Sequence, residues 1–114
     1  MRYELVNEDV RYGQAKQRCI NSGGRLMEVR TQEEYNIALE FFDILGPFLL
    51  ASTDEHSQTV WLWDSNGDPV DPAFWGDERP RVSTYYNCMG MWLSGFADSH
   101  CHNYKPYVCE YDEI

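Results

Sequence analysis

Four cysteines constrain this chain more than any other feature of its sequence. Three of them lie in the last quarter, at Cys88, Cys101 and Cys109, while Cys19 stands near the start. A structural zinc site usually shows two close pairs such as C-x-x-C, and the chain has none, so two disulfides formed in an oxidising compartment fit better. Four cysteines allow three pairings. We expect Cys19–Cys109 and Cys88–Cys101, because the second bridge then closes a short hairpin and the first ties the two ends of the domain together.

Length and charge narrow the possible classes further. At 114 residues we expect one domain over residues 1–114, and a hydrophobic content of 43% is enough to bury a core. The net charge of −10 would repel the phosphates of a nucleic acid, so we expect no nucleic-acid partner. No apolar stretch approaches the roughly 20 residues that span a bilayer, so direct membrane insertion is not expected either.

The N-terminus lacks the basic and hydrophobic regions of a secretory signal, although the predicted disulfides indicate an extracellular location. Two explanations remain open. Met1 is an added initiator on a mature domain, or the domain is one part of a longer secreted or membrane-anchored protein. In both cases the predicted location is secreted or extracellular.

The first quarter of the chain predicts a strand followed by a helix. Alternation of Tyr3 and Leu5 with polar neighbours predicts a short edge strand over Arg2–Val6. From Asp9 onward, apolar residues recur at helical spacing, and Ser22-Gly23-Gly24 supplies the expected helix end. The apolar residues that recur at this spacing are Val10, Ala15, Cys19 and Ile20.

A second helix begins at the capping box Thr31-Gln32-Glu33-Glu34 and is predicted to end near Gly46. Its predicted buried face consists of Tyr35, Ile37, Ala38, Phe41 and Phe42. Beyond Pro47, short strands replace helical periodicity. The strand candidates are Phe48–Ala51, Val60–Trp63, Asn87–Leu93, Phe96–Cys101 and Tyr107–Tyr111.

A long irregular loop separates the strand candidates in the second half. Asn66-Gly67 is a tight-turn dipeptide, and three prolines keep the chain irregular to about Tyr85. Loops of this kind tend to carry function. The predicted fold class is therefore α+β, with two helices packed on small twisted antiparallel sheets and one long irregular loop.

Short motifs in order along the chain resemble the C-type-lectin-like domain in its short form. The motifs are Ala15-x-x-x-Cys19, Gly23-Gly24-Arg25-Leu26, Thr31-x-x-Glu34, Leu49-Leu50-Ala51, Trp61-Leu62-Trp63-Asp64 with Asn66-Gly67, Phe74-Trp75, Asn87-Cys88, Asp98-x-x-Cys101 and Tyr107-Val108-Cys109-Glu110. Leu49-Leu50-Ala51 departs from the family's Trp-Ile-Gly but keeps its apolar character. The resemblance covers nearly the whole chain and implies a disulfide-bonded binding module that is not an enzyme.

The resemblance also implies where a calcium-dependent sugar site would lie. The family uses a Glu-Pro-Asn or Gln-Pro-Asp triplet, a Glu before one cysteine and an Asn-Asp pair before the next. The corresponding positions here are Arg79-Pro80-Arg81, Tyr86 and Ala97-Asp98. Among the ligands that the family uses, Asp98 alone remains, and guanidinium groups repel a divalent cation and cannot coordinate it. We therefore expect no metal and no cofactor, while the resemblance implies a cis peptide bond at Pro80.

The predicted ligand contacts lie on the long loop from Ser65 to Asn87 and on the neighbouring strands. They are Asp77, Glu78, Arg79, Arg81, Tyr85, Tyr86 and Asp98. The two arginines form an anion-binding pair for a sulfated or sialylated glycan or an acidic protein segment, or they neutralise the nearby carboxylates. The function that we expect is calcium-independent recognition of a protein or an anionic glycan.

Two other functions remain open. One is a calcium-requiring sugar-binding lectin whose displaced site is built from Asp77, Glu78 and Asp98. The other is a structural role, in which a secreted acidic domain assembles with itself, for example as a homodimer, or binds a mineral surface.

Two further clusters receive a plain structural interpretation. His100 and His102 share one face of a strand, but two histidines without a third ligand are more often surface residues than a metal site. The run Asp54-Glu55-His56-Ser57 contains the residue types of a hydrolytic triad, yet triad groups converge from separate parts of a chain. We expect no catalytic residue in either place.

The four tryptophans are expected mostly in the core. The family resemblance implies that Trp63 and Trp92 lie inside it and that Trp61 and Trp75 lie beneath the long loop. Tyr85 and Tyr86 are then the better candidates for exposed aromatic contacts.

Overall fold

The computed structural model describes residues 1–81 and 85–112, so residues 82–84 of the predicted long loop lie outside the described residues. The strands are β1 Arg2–Val10, β2 Arg25–Leu26, β3 Phe48–Thr53, β4 Leu62–Trp63, β5 Cys88–Trp92, β6 Gly95–Ser99 and β7 Lys105–Tyr111. The helices are α1 Tyr12–Asn21 and α2 Gln32–Leu45, and a short 3-10 helix covers Pro72–Phe74. This order confirms the predicted α+β class.

One mixed sheet joins both ends of the chain. Its strand order is β1-β7-β3-β5-β6, with β2 also paired to β7 and β4 to β3. All pairs are antiparallel except β3 and β7, which meet in parallel at Leu49 and Tyr107. The N-terminal strand is therefore an edge strand, as predicted, and β6 forms the opposite edge.

The boundary between β1 and α1 differs from the prediction. Val10 belongs to the strand, opposite Lys105 of β7, and α1 begins only at Tyr12. The register of β1 shifts between Val6 and Val10, so the strand continues past the predicted end through an irregularity. A strand of this length needs β7 as its partner, and local periodicity does not reveal that partner. Ile20, one of the apolar residues at helical spacing, lies on the exposed side of α1.

The second helix begins as predicted. The backbone N–H of Glu34 donates to Oγ1 of Thr31 at 3.1 Å, and the Glu34 carboxylate accepts from the backbone N–H of Thr31 at 3.1 Å. This reciprocal pair satisfies two backbone donors that the helix itself leaves without partners. Ala38 is fully buried, and Tyr35, Ile37, Phe41 and Phe42 pack partly buried against the core.

Two apolar clusters fill the core. The larger one surrounds Phe48, Trp63 and Phe96 and receives the apolar face of α2. The smaller one surrounds Ala15, Cys19 and Cys109 beneath α1. The two predicted disulfides, Cys19–Cys109 and Cys88–Cys101, are both present.

Trp63 is buried as predicted, but the prediction for Trp92 is wrong. Trp92 is 37% exposed at the last position of β5. Successive side chains of a strand point to opposite faces, so Trp92 shares a face with Gly90, and Met91 occupies the core instead. The family resemblance implied that Trp92 is buried. In β5, however, the alternation of side chains puts Trp92 on the face that points away from the core.

The long loop docks on the outer edge of β6. The backbone N–H of Gly76 donates to the carbonyl of Phe96 at 3.0 Å, and Trp75 forms a parallel bridge with Phe96. Gly95 has a φ of +125°, and a Cβ there would lie 2.5 Å from the carbonyl oxygen of Phe74. Glycine therefore permits the close approach that carries the loop along β6 toward Asp98.

Candidate functional site

The centre of the candidate site is a buried carboxylate held by two arginines. Nη1 of Arg79 donates to Oδ1 of Asp98 at 2.9 Å and to its backbone carbonyl at 3.1 Å. Nε of Arg81 donates to Oδ2 at 3.2 Å, and its Nη2 donates to the same carbonyl at 3.1 Å. The Asp98 side chain is 0% exposed. We call these three residues the arginine clamp.

The clamp compensates for the burial of a charge. A carboxylate without water is strongly unfavourable unless ionic and hydrogen-bonding partners replace its hydration. Both carboxylate oxygens of Asp98 have a guanidinium partner, and the arginines themselves remain partly exposed. The Arg79–Pro80 peptide bond is cis, as predicted. It lies within residues 79–81, which we call the clamp segment. The clamp therefore fastens the loop to β6 and leaves a cationic surface toward solvent.

An aromatic surface adjoins the clamp. The guanidinium carbon of Arg81 lies 3.7 Å from the ring centroid of Tyr86, a cation–π distance. The ring of Tyr86 lies 4.7 Å from that of His100, and Tyr85 lies 6.3 Å from His100 on the exposed side. The sequence predicted Tyr85 and Tyr86 as contacts. It missed His100 as their neighbour, because that contact depends on the docked loop.

Asp77 and Glu78 do not join the clamp. Both are exposed, and neither forms an ion pair with another residue in the described ranges 1–81 and 85–112. Local neutralisation by the arginines therefore holds for Asp98 and does not extend to these two residues. Of the seven predicted contact residues, the structure brings together Arg79, Arg81, Tyr85, Tyr86 and Asp98.

The described side chains do not fit a calcium ion at this position. Calcium takes six to eight oxygen ligands at roughly 2.3 to 2.6 Å. Here both Asp98 oxygens already accept from guanidiniums, Tyr86 stacks against Arg81, and Ala97 has no ligand atom. A calcium ion would have to displace both arginines from Asp98 and would then meet one carboxylate.

The other group of side chains that lies close enough to bind one metal ion is also unsuitable. Within the described residues, the one group of His, Cys, Asp or Glu ligand atoms close enough for a metal is Glu55, Cys88 and Cys101. Both cysteines are consumed by the disulfide, so they cannot act as thiolate ligands. Neither the carboxylates of the alternative displaced calcium site nor His100 and His102 form such a group among the described residues.

The run Asp54-Glu55-His56-Ser57 leads from β3 into a turn. Asp54 is buried and accepts from the backbone N–H of Thr59 at 3.0 Å, whereas Glu55, His56 and Ser57 are exposed. The Asp54 carboxylate therefore supports the turn that follows it.

The start of the loop is anchored to the connection between the helices. Glu28 is buried and accepts from the backbone N–H of Ser65 at 2.9 Å and from its hydroxyl at 2.8 Å. Arg30 bridges Glu28 and Asp68, each at 2.7 Å. On the adjacent side, the Tyr12 hydroxyl donates to Asp64, and burial, with the Asp64 carboxylate, raises the pKa of Tyr12. The tight turn after β4 is thus fixed before the loop departs.

An apolar groove lies beside the clamp, and its volume is about 410 Å³. Its walls include Val60, Trp61, Pro69, Pro72, Trp75 and Arg79. Trp61 and Trp75 meet edge to face at 5.1 Å, which agrees with their predicted position beneath the loop. The sequence did not indicate a groove, because its walls come from three separate segments. The prolines in this part of the chain predicted irregular backbone and nothing more.

Comparison with known proteins finds a matching family and several relatives. A family model described as the lectin C-type domain matches residues 8–111. A tetranectin-like protein of Carcharhinus perezii is 28% identical over 96% of this chain and 64% of its own length. The chain spans less than two thirds of the length of the curated relatives that it matches.

Two solved structures share the fold. The mouse scavenger receptor C-type lectin carbohydrate-recognition domain superposes with a TM-score of 0.85 at 21% identity, covering 98% of this chain and 90% of that one. A calcium-independent type II antifreeze protein gives a TM-score of 0.80 at 23% identity, covering 94% and 82%. At these identities the likeness concerns the fold alone.

Among the described residues, neither helix has the length and apolar character needed to cross a bilayer.

Proposed function

Since this chain belongs to the C-type lectin domain family, we propose that it is an extracellular recognition domain that binds a protein or an anionic glycan through its long loop, without calcium. The family recognises carbohydrates or proteins, and its fold is typically non-enzymatic. The proposal also takes residues 1–114 as one binding module that is secreted or forms the extracellular part of a larger protein.

The arginine clamp is the observation that carries this proposal. In the position where the family resemblance implies calcium ligands, a buried Asp98 is already paired with two guanidiniums. The loop that a cation would order is therefore fastened to β6 by the chain's own charges. A preformed surface of this kind binds with a small ordering cost.

The clamp arginines keep hydrogen-bond donors for a ligand. A guanidinium has about five N–H donors. Arg79 uses Nη1 toward Asp98, and Arg81 uses Nε and Nη2, so Nη2 of Arg79 and Nη1 of Arg81 are not engaged by described residues. Paired guanidinium donors suit carboxylate, sulfate and sialate groups. Tyr85 and Tyr86 add aromatic contact area beside them.

The relatives are compatible with both halves of the proposal. One fold neighbour is described as a carbohydrate-recognition domain, and another as calcium-independent. Our proposal for this chain takes binding from the first description and independence of calcium from the second. It does not take the ligand of either protein.

A binding screen tests the proposal. The purified domain is applied to an array of sulfated, sialylated and neutral glycans and to a panel of secreted proteins, with calcium and with chelator. We expect binding to an anionic member that chelator leaves unchanged. Arg81→Gln removes two donors to Asp98 and should weaken that binding by about tenfold, a loss of about 1.4 kcal/mol.

Arg18→Gln is the matched control, because Arg18 lies on α1 and pairs with the exposed Glu8. It should bind as the parent does. Calorimetric titration with calcium separates the calcium-requiring alternative: an isotherm with a dissociation constant at or below the millimolar range would reject our proposal. Sedimentation velocity on the same sample would detect the self-association that a structural role requires.

A further inference from the structure

We propose that the apolar groove beside the arginine clamp receives an apolar side chain of an acidic protein segment, whose carboxylate lies on Arg79 and Arg81. This inference rests on the proposed function and narrows it, because it selects a protein ligand over a glycan. Continuity supports it: Arg79 and Pro80 line the groove, and both belong to the clamp segment.

The groove has the volume of a ligand pocket and a mostly apolar lining. Its volume of about 410 Å³ falls within the range of about 300 to 1,000 Å³ found for ligand pockets. The walls are proline rings, valines and the edge-to-face pair of Trp61 and Trp75. Sugar hydroxyls would find few hydrogen-bond partners on such walls, whereas a leucine or phenylalanine side chain would lose water-exposed apolar area on entering.

The walls are held in place before any ligand arrives. The backbone N–H of Val70 donates to the carbonyl of Trp61 at 3.0 Å, and that of Trp63 donates to Asp68 at 2.8 Å. Asp71 caps the short 3-10 helix by accepting from the N–H of Ala73 at 2.9 Å. Because these bonds fix both walls, binding requires little rearrangement.

Charge selects the kind of segment. Among the described residues that line the groove, Arg79 is the one charged side chain, on a chain whose net charge is −10. Arg79 lines the groove, and its Nη2 is not engaged by a described residue. A ligand that places an apolar side chain in the groove can therefore place a neighbouring carboxylate on a guanidinium, and a basic segment would meet repulsion.

Nuclear magnetic resonance of the ¹⁵N-labelled domain tests the inference, because the indole N–H of each tryptophan gives its own signal. The probes are three capped hexapeptides: EDLFED, the basic KKLFKK and the polar EDSSED. We expect EDLFED to shift the indole signals of Trp61 and Trp75 progressively up to about 5 mM peptide, a weak affinity of roughly the millimolar class. The signals of Trp63 and Trp92 should stay in place, and the other two peptides should cause no shift.

A pair of exposed substitutions supplies the control. Val60→Glu places a carboxylate at the groove and should weaken EDLFED binding by about tenfold. Leu93→Glu adds the same charge at the tip between β5 and β6 and should leave binding unchanged. Both positions are exposed, so both variants are expected to fold.

The outcomes separate this inference from the proposed function. If the screen finds a calcium-independent ligand whose affinity falls in Arg81→Gln but not in Val60→Glu, the groove inference is wrong and the proposed function stands. If EDLFED leaves Trp61 and Trp75 unshifted, or phosphatidylserine vesicles shift them while EDLFED does not, the inference is overturned. Shifts that Leu93→Glu abolishes equally would also contradict it.

Discussion

Two regions of this molecule are fastened to the same sheet by different means. In the first, Cys19–Cys109 joins α1 to β7 across 90 residues, and a cluster of buried apolar side chains surrounds the bridge. In the second, the long loop lies along β6 through backbone bonds near Gly95 and through two guanidiniums on Asp98.

This difference separates the requirements of folding from those of recognition. The first region is held by a covalent bond and by apolar burial, which depend little on ions in solution. The second depends on the charges of three side chains, and it presents two of them, the guanidiniums of Arg79 and Arg81, to solvent. Changes in the loop region are therefore expected to alter binding more than global stability, and changes in the first region to do the opposite.

Removal of the long-range bridge should have the largest effect. In the chain-entropy treatment, a double Cys19→Ala, Cys109→Ala variant loses about 4 to 5 kcal/mol of unfolding free energy. Urea unfolding followed by fluorescence measures this loss of unfolding free energy. The comparison variant, Cys88→Ala with Cys101→Ala, opens a bridge that spans only 13 residues and should lose about 3 kcal/mol. The reverse order of these two losses would contradict our account of the first region.

Loss of the clamp carboxylate should come second. Asp98→Asn keeps the shape of the side chain but removes the charge that pairs with Arg79 and Arg81. The expected loss is about 2 kcal/mol, limited by the partial exposure of both arginines. Hydrogen exchange should accelerate at the amides of residues 76–79, while those of β1 and β7 keep their protection.

Asp77→Asn is the control for this experiment, because Asp77 is exposed and forms no ion pair within the described part of the chain. It should leave both stability and exchange unchanged. Uniform acceleration over the whole sheet in Asp98→Asn would show that the two regions are not held separately.

The smallest effect concerns a charge in the first region. Lys105 of β7 is 9% exposed and has no ion-pair partner among described residues, and burial lowers the pKa of its ammonium group below 10.5. In the range between the lowered folded pKa and 10.5, the unfolded chain binds more protons, so stability rises with pH there. Lys105→Met should therefore raise the melting temperature at pH 7.

The gain in Lys105→Met should shrink as the pH approaches 10.5, because the folded parent then loses the buried charge and the unfolded lysine is half deprotonated at its own pKa. Melting curves across pH 6 to 10.5 provide the measurement. Lys16→Met removes the same charge from a partly exposed position that pairs with Asp64, and it should show no such gain. A constant difference between Lys105→Met and the parent would show that packing, not charge, is responsible.

Much of the fold could be predicted from local sequence. The capping box at Thr31 fixed the start of α2. Of the three possible cysteine pairings, the one expected to close a short hairpin and to tie the two ends together is the one observed. The boundary before Tyr12 and the exposure of Trp92 could not be predicted, because each depends on which strand lies next to it. The alternation of a strand indicates its two faces but not which face the core will occupy.

The candidate site shows the same limit. The sequence indicated Arg79, Arg81 and Asp98 as neighbours in a family pattern, and it left open whether the arginines neutralise the nearby carboxylates or serve a ligand. Docking of the loop decided that both guanidiniums bind Asp98 while Asp77 and Glu78 stay outside. The sequence placed Trp61 and Trp75 beneath the loop but did not predict the groove, since its shape depends on how the loop folds back over residues 59–61.

The sequence by itself determined the fold class, the two disulfides and the replacement of calcium-ligand residues by arginines, because these follow from residue types and their order along the chain. Tertiary structure alone decided that a buried carboxylate joins the loop to β6 and that two tryptophans line a groove beside it. The reason is physical: burial, pairing of charges and the shape of a cavity are properties of surfaces brought together from distant segments, and no local pattern contains them.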